Sequence, residues 1–593
     1  MKQPSRNKLL VGTVLPMLLA LGLYACDDTL TKAAEPQGTL DPSTISTPEG
    51  VEASLIATYR ALDWFDGANF DSWGWAASDW VWASVTSDDA YKGSEASDQP
   101  GVTDIELYNW TTNGTDQYLN DAWKGAYEGV SRANTTLRLL TAVQEASPGL
   151  ISDEDASSIA GEAIFLRAHY HFKAWRLWLN IPYFRGTDTD FRKPNSDSAT
   201  VVAEMLTDLD SAIALLPATP RGGSAGRVTR WTAQAYKGRV HAYAHQWPEA
   251  LATLQAVRTG GPYALETSYD FVWTGFPERR NGKETILAYQ ATANDGDPDG
   301  NNANYGERLN FPHSGSPLQG CCGFHQPSQN LVNFFAVDAA TGLPRALTDP
   351  NWNASDAEFE AGAATPVDPR LDWTVGRDGV PYKDWGPHAS GWIRSEAYGG
   401  PYSPKKNVHE IASGAQSNVG WAPTQQNAVP IHIFRYADML LLLAEAEVEV
   451  GSLENARTIV NEIRTRAGVA AQGPGTIKGN IAVPIDDPSI TWANYQVGLY
   501  TTPFASQEQA RSAVRYERRL ELAMEGQRFF DLRRWGLMEE VLNNYLAAEK
   551  NRRSYLTAAQ AVTERYRRYP IPSVQIELSK VNGVPTLTQN PGW

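Results

Sequence analysis

Apolar and small residues recur at intervals of three and four along several long stretches of the chain. Between Trp123 and Leu140 they stand at Ala126, Tyr127, Val130, Ala133, Asn134 and Leu137, which keeps them on one face of a helix. Residues 156–179 and 199–216 show the same spacing, and Pro182 follows the first of these stretches. The pattern therefore predicts three amphipathic helices in the first half of the chain.

Two further stretches have the pattern of helical hairpins. TAQAYKGRVHAYAHQWPEALATLQAVRTGG is interrupted at Trp247 and Pro248, and RYADMLLLLAEAEVEVGSLENARTIVNEIRTRAG turns at Gly451 and Ser452. The first helix of the second hairpin is apolar nearly all round, so it must be covered on several sides, as in stacked hairpins. We therefore predict a mainly α fold: an irregular tetratricopeptide-like helical solenoid with few short strands and a frame at about 115–258 and 431–545.

Helical periodicity fades between residues 260 and 430, where Gly, Pro, Asn, Asp and Trp are frequent. A loop of that length inside a compact domain is uncommon unless it is functional. We interpret it as a loop-rich insertion that carries the binding surface of a domain spanning 51–593. A second irregular segment is expected at about 565–593.

The amino terminus has the pattern of an export signal. Lys2, Arg6 and Lys8 precede an apolar run at 9–23, which is shorter than the roughly 20 residues a spanning helix needs. Leu23-Tyr24-Ala25-Cys26 resembles a bacterial lipobox, in which the cysteine is lipidated after cleavage. We predict a signal peptide at 1–25, a lipid anchor on Cys26 and a tether at 26–50; the alternative is a plain secretion signal.

Charge and cysteine content exclude some functions. The formal net charge is -17, which would repel phosphates, so nucleic acid is not an expected partner. The chain has three cysteines, too few for a four-cysteine zinc site. Cys321 and Cys322 are adjacent, which leaves a vicinal bridge or two buried thiols as alternatives.

Several segments together resemble one family, the SusD/RagB lipoproteins. They are IFLRAHYHFKAWRLWLNIPYF, FRYADMLLLLAEAEVEVG, VNEIRTRAG, RYERRLELAMEGQRFFDLRRWG and YPIPSVQIELSKVNGVPTLTQNPGW, in that family's order and behind the lipobox. The resemblance implies an outer-membrane, cell-surface lipoprotein without catalytic residues or a required cofactor. It further implies capture of an oligosaccharide or similar nutrient and delivery to a SusC-like TonB-dependent barrel.

Two other functions compete with this reading. One is a secreted glycoside hydrolase with catalytic acids in the insertion, such as Glu278, Glu284, Asp372 or Asp384. The other is a scaffold that binds only protein, in keeping with a solenoid. A hydrolase would release reducing ends from polysaccharides, whereas a binding protein would not. A protein-binding scaffold would give flat calorimetric titrations with glycans.

Aromatic residues are the expected ligand contacts, since sugar rings present an apolar C–H face to flat rings and their hydroxyls to amides. The chain has 20 Trp, 25 Tyr and 17 Phe. Trp80 and Trp82 alternate as on a half-buried strand, so about half of the tryptophans near them are expected in the core. Trp110 and Asn113 are the favoured pair, at a loop edge before a helix. The other candidates are Trp73, Trp75 and Trp82, and in the insertion Trp273, Trp352, Trp373, Trp385, Trp392 and Trp421, of which two or three are expected to touch ligand.

Two acidic patterns have competing explanations. In 515–534, glutamates recur every four residues among arginines, which favours a structural ion network over catalysis because nearby arginines lower carboxyl pKa values. Glu445 and Glu447 receive the same interpretation. Asp295, Asp297 and Asp299 precede Gly300 in the order that opens an EF-hand calcium loop, but Gly306 occupies the twelfth position. A solvated acidic turn is favoured over a calcium site.

Overall fold

The computed structural model describes residues 45–63, 72–313, 315–361, 365–420, 423–470, 490 and 492–593. The predicted signal peptide, Cys26 and Trp421 lie outside these residues. The longer helices are α1 (Pro48–Arg60), α2 (Pro100–Glu106), α3 (Asn113–Ala146), α4 (Asp153–Trp178), α5 (Ser198–Leu215), α6 (Arg230–Tyr243), α7 (Trp247–Gly260), α8 (Gln329–Phe334), α9 (Tyr436–Val450), α10 (Leu453–Val469), α11 (Gln507–Glu521), α12 (Arg528–Arg534), α13 (Met538–Glu549) and α14 (Ser573–Leu578).

The long helices stack as the periodicity predicts. α1 packs on α3, and α3 to α7 pack each on the next; α7 then contacts α9, which packs on α10 and α11. Side-chain caps fix the helix starts, since Thr112, Ser152 and Asp197 each accept a backbone N–H at the entry to α3, α4 and α5. The mainly helical, solenoid-like fold is confirmed.

Close helix packing depends on small residues at particular positions. A Cβ added at Gly129 of α3 would lie 2.5 Å from the ring of Tyr170 on α4. Glycine there lets the tyrosine ring rest on the α3 backbone. Within the described residues, no helix is both long and apolar enough to cross a bilayer.

The insertion begins and ends on one pair of strands. β2 (Thr285–Tyr289) pairs antiparallel with β6 (Ile431–Arg435), which brings the two ends of the insertion together against the frame. β1 (Ala90–Gly93) pairs with β3 (Phe324–Pro327), and β4 (Val375–Gly376) with β5 (Ser403–Pro404). The longest helix in the described part of the insertion is α8, so the predicted loop-rich character is confirmed.

Three local predictions need correction or completion. Trp80 and Trp82 do not alternate on a strand; Trp80–Val85 forms a fully buried π-helical turn. The tether was predicted to reach residue 50, but α1 begins at Pro48. Of the two alternatives for Cys321 and Cys322, the structure contains the vicinal disulfide.

A buried ion network joins the insertion to the helical frame. Arg435, at the end of β6, contacts Glu521 of α11 at 2.7 Å, Glu525 at 2.8 Å and Glu284 at 3.0 Å. Arg370 of the insertion also reaches Glu521, at 2.8 Å. The network therefore crosses between segments, whereas the sequence suggested pairs along one helix. The other members are Arg464, Arg466, Glu517, Asp368 and Lys406.

The electrostatics of Glu521 confirm the structural interpretation of this charged segment. Burial alone would raise the pKa of Glu521, but attraction to Arg466, Arg435 and Arg370 outweighs it and lowers the pKa below its ordinary value. A second network links Glu445 to Arg518 and Arg534. The lowered pKa of Glu521 is the opposite of what the protonated acid of glycoside hydrolysis requires.

We predict that Arg435→Met lowers the free energy of unfolding by about 3–5 kcal/mol, because three carboxylates would lose a buried partner. Chemical denaturation followed by circular dichroism measures this. Arg192→Met, which removes an exposed arginine paired with Asp190, is the matched control and should leave the denaturation midpoint unchanged. Equal midpoints for the two variants would contradict the proposed role of the network.

Candidate functional site

Trp110, the favoured ligand residue, lies in the core. Its side chain is 1% exposed, its ring stacks on Tyr569 at 4.0 Å and on Trp593 at 5.8 Å, and its Nε1 donates to the carbonyl of Ile105. Asn113 is exposed at the first residue of α3. The two side chains do not share one surface, so the prediction of a joint site is wrong.

Most other candidate tryptophans are also buried. Trp75 and Trp82 donate their Nε1 hydrogens to Ala61 and Gly74 carbonyls, and Trp373 donates to Ala470. The prediction that these rings contact ligand is wrong for the same reason as for Trp110, because their side chains are almost fully buried. The buried set, each at most 7% exposed, is Trp73, Trp75, Trp82, Trp273, Trp373 and Trp392.

Two candidates remain partly accessible. Trp352 is half-buried, with the guanidinium of Arg345 at 3.7 Å from its ring centroid. Trp385 is half-buried as well, and its Nε1 donates to the carbonyl of His409. Ligand contact by these two rings stays a prediction.

The acids proposed for hydrolysis are not arranged as a catalytic pair. Glu284 is buried against Arg435 and Arg466, and Asp372 accepts two hydrogen bonds from Arg377 at 2.6 and 2.9 Å. Asp384 accepts from the backbone of Ile411 and Ala412. Glu278 is exposed. Three of these four carboxylates are therefore engaged in holding the insertion together.

The aspartates of the acidic turn accept hydrogen bonds from the backbone and side chains of the turn itself. Asp295 accepts from the N–H of Asp297 and from Thr292 and Asn302 side chains, and Asp297 accepts from the N–H of Asp299. Among the described residues, no group of three or more His, Cys, Asp or Glu is arranged to hold a metal ion. These hydrogen bonds form an acidic turn, and calcium binding by the three aspartates stays untested.

A cavity of about 380 Å³ opens where α1, the loop before α6 and the end of β2 meet. Tyr289 and Arg60 lie on one wall, with the guanidinium 5.7 Å from the ring centroid. Gly226 lines another wall in a left-handed conformation, where a Cβ would lie 2.5 Å from the side chain of Gln290. The remaining polar and apolar lining includes Ile56, Tyr59, Arg227, Thr292 and Asn302.

Segment 301–308 connects this cavity with an aromatic stack. Arg60 donates to the carbonyl of Asn301 at 2.7 Å, and the Asp63 carboxylate accepts from the N–H of Gly306. Next to it, Tyr305 stacks on Trp73 at 5.6 Å with the guanidinium of Arg308 3.9 Å from the tyrosine ring centroid. Both features adjoin the C-terminal end of α1.

The burial of the two carboxyls nearest the cavity favours binding over proton transfer. Burial raises the pKa of Asp63, although the N–H of Gly306, the charge of Arg60 and the N–H of Ala77 act against the rise. Asp63 and the buried Glu307 are each about 1% exposed, so neither carboxyl reaches a ligand in the cavity. The groups that do line it are aromatic rings, guanidiniums, hydroxyls and amides, which suit a neutral polar ligand.

Sequence reasoning missed this cavity. Arg60 and Asn301 are separated by 241 residues, and no periodicity relates the end of α1 to the end of β2. Arg60 in the last turn of α1 is a local feature of the cavity that the sequence shows. A basic residue at that position is also explained by the helix dipole, so it does not indicate a site.

The fold is a helical-repeat frame with a loop-rich insertion, and the cavity lies where helix α1 and the loop before α6 meet the end of β2. The chain belongs to the SusD family, whose model matches residues 283–593, slightly more than half of the sequence. A second model, described as starch-binding associating with outer membrane, matches residues 76–241.

Individual relatives cover nearly the whole chain. SusD-like protein P38 of Formosa agariphila is 25% identical over 541 residues, 89% of this chain and 91% of the relative. A laminarin-binding SusD-like protein has a similar fold, with a TM-score of 0.64 and 20% identity over 92% of this chain and 100% of its own. Surface glycan-binding protein A of Bacteroides thetaiotaomicron in complex with laminarihexaose gives a TM-score of 0.61 and 18% identity over 92% and 99%.

We predict that Trp110→Ala lowers the free energy of unfolding by about 3–5 kcal/mol, because it empties a space enclosed by aromatic rings. Thermal or urea unfolding measures the loss. Trp385→Ala is the control, since its half-buried ring leaves a smaller cavity and the fold should be largely retained. A fully stable Trp110→Ala variant would return this ring to the list of surface candidates.

Proposed function

We propose that this protein binds an oligosaccharide at the bacterial cell surface and delivers it to a TonB-dependent outer-membrane barrel. The observation that carries the proposal is the cavity at the end of α1 in a member of the SusD family. Laminarin and laminarihexaose, named for two structural neighbours, make β-glucan oligosaccharides the first ligands to test.

The lining of the cavity supports reversible sugar binding. The half-buried ring of Tyr59 and the planar guanidinium of Arg60 offer flat surfaces for C–H faces, while Gln290, Asn302 and Thr292 carry hydrogen-bonding groups for hydroxyls. No covalent step is needed. Release to the barrel follows if the ligand binds more weakly once the two proteins have closed on each other.

The proposed location rests on the leader and on the family. A cysteine at the cleavage point would receive acyl chains that hold the protein on the membrane, with each buried methylene contributing about 0.8 kcal/mol. The tether then gives the domain room to reach its barrel. The family description that mentions the outer membrane supports this assignment.

We predict that Ile56→Trp abolishes binding of laminarihexaose, because the larger side chain fills the cavity from a position that is 50% exposed and outside the core. Isothermal titration calorimetry with the soluble form that begins after Cys26 measures binding. Val584→Trp is the matched control, since Val584 is 66% exposed and does not line the cavity.

Three results would contradict the proposal. Equal affinity in wild type and Ile56→Trp would remove the cavity as the site. Flat titrations across a broad glycan panel would favour the protein-binding scaffold. Reducing ends released from polysaccharides by the purified protein would favour the hydrolase.

We predict that Cys26→Ser blocks incorporation of radiolabelled palmitate and shifts the protein from the membrane fraction to the soluble fraction. The reason is that the serine hydroxyl is not the nucleophile that the lipid transfer uses. Cys321→Ser with Cys322→Ser is the control and should still be labelled. Labelling of Cys26→Ser at the wild-type level would rule out the anchor.

A further inference from the structure

A second cavity lies on the helical frame, away from the end of α1. It has a volume of about 220 Å³ and is formed by the turn before α7, the end of α9, one face of α11 and the end of α12. Two indole rings line it, Trp247 at the first residue of α7 and Trp535 just after α12, and both are half-buried. The structure thus places two aromatic surfaces around one small space.

Three arginines and two glutamates line the same cavity. Arg511 makes two hydrogen bonds of 2.6 Å to Glu449, and Arg534 makes two to Glu445. Arg515 is half-buried and makes no hydrogen bond or ion pair with any residue that the structure describes. Arg515 is therefore the arginine of the lining without a direct counter-ion, although the charges of Glu445 and Glu449 attract it.

Further charges around the cavity do not supply that counter-ion. Behind Arg534, Asp531 and Asp438 are paired with Arg518. His245 stacks on Trp247, and burial together with the charge of Arg534 lowers its pKa, so the ring is neutral at pH 7. The excess positive charge therefore stays on Arg515.

The position of Arg515 suits a ligand that is both charged and flat. Its guanidinium lies 5.2 Å from the ring centroid of Trp535, and Trp535 is fixed because its Nε1 donates to Glu445 at 3.1 Å. A guanidinium binds a carboxylate through two parallel hydrogen bonds, and an indole face accepts the C–H side of a sugar ring. The volume is below the roughly 300–1,000 Å³ of cavities for drug-sized ligands, which limits the ligand to about one ring.

We propose that this cavity is a second saccharide site, selective for one acidic sugar unit such as a hexuronate, whose carboxylate pairs with Arg515 while its ring contacts Trp247 and Trp535. The inference rests on the proposed function only in taking the ligand to be a sugar. Such a site would let the protein hold a charged residue of a longer glycan outside the cavity at the end of α1.

Saturation-transfer NMR with sodium glucuronate tests the proposal on the soluble form of the full chain. We expect saturation of the sugar ring protons, binding at least tenfold tighter than that of glucuronamide, and weakening by added salt. Arg515→Met should weaken glucuronate binding at least tenfold, and Arg515→Lys should restore it in part because a lysine keeps the charge without the paired hydrogen bonds. Arg192→Met is the matched surface control and should bind like wild type.

Each alternative outcome overturns a stated part of the inference. Equal binding of glucuronate and glucuronamide would remove the role of the charge. If acetate bound as tightly as glucuronate, and the ring protons of glucuronate showed no saturation, the cavity would be a simple anion site. Unchanged glucuronate binding in Arg515→Met would remove the site, provided that circular dichroism shows the variant folded.

The same variants separate this site from the proposed function. Laminarihexaose binding should be unaffected by Arg515→Met, and glucuronate binding should be unaffected by Ile56→Trp. Loss of laminarihexaose binding in Arg515→Met would mean that the two cavities act as one site. Glucuronate binding without laminarihexaose binding would refute the β-glucan ligand and leave the acidic-sugar site standing.

Discussion

Buried pairing between arginine and carboxylate side chains fixes the insertion on the helical frame. The described part of the insertion has little regular structure of its own, and its strand pairs are short. A buried ion network holds the insertion in place of regular structure. Arg435 and Glu521 lie at its centre and have partners in both the frame and the insertion. Desolvated charges tolerate no missing partner, so this arrangement admits essentially one relative placement of the two parts.

The same ion network fixes one wall of the cavity through β2. Glu284, a partner of Arg435, directly precedes β2, and the opposite end of β2 carries Tyr289 and Gln290 into the cavity wall. A loop surface without such anchoring would lose binding energy in ordering its side chains when a ligand arrives. Here the order is already present before binding, because folding has positioned the wall.

Local periodicity was enough to predict most of the fold. The helices from α3 to α7 and the α9–α10 hairpin follow the 3.6-residue pattern, and the insertion is marked by its absence. The partners of the charged segment could not be predicted, because Arg370 and Glu521 are separated by 151 residues. The burial of Trp110 could not be predicted either, since its ring is enclosed by Tyr569 and Trp593 at the far end of the chain.

The abundance of tryptophan has a structural cause that the sequence alone does not reveal. Irregular backbone leaves carbonyl groups without helix or strand partners, and a buried carbonyl must still accept a hydrogen bond. An indole supplies one donor together with a large apolar surface, so it can satisfy the carbonyl and fill the space beside it. Trp75, Trp82, Trp110, Trp373 and Trp385 each donate to a backbone carbonyl in this way. Aromatic richness in this protein is therefore first a means of packing loops, and a ligand surface must be argued from exposure and not from the count of rings.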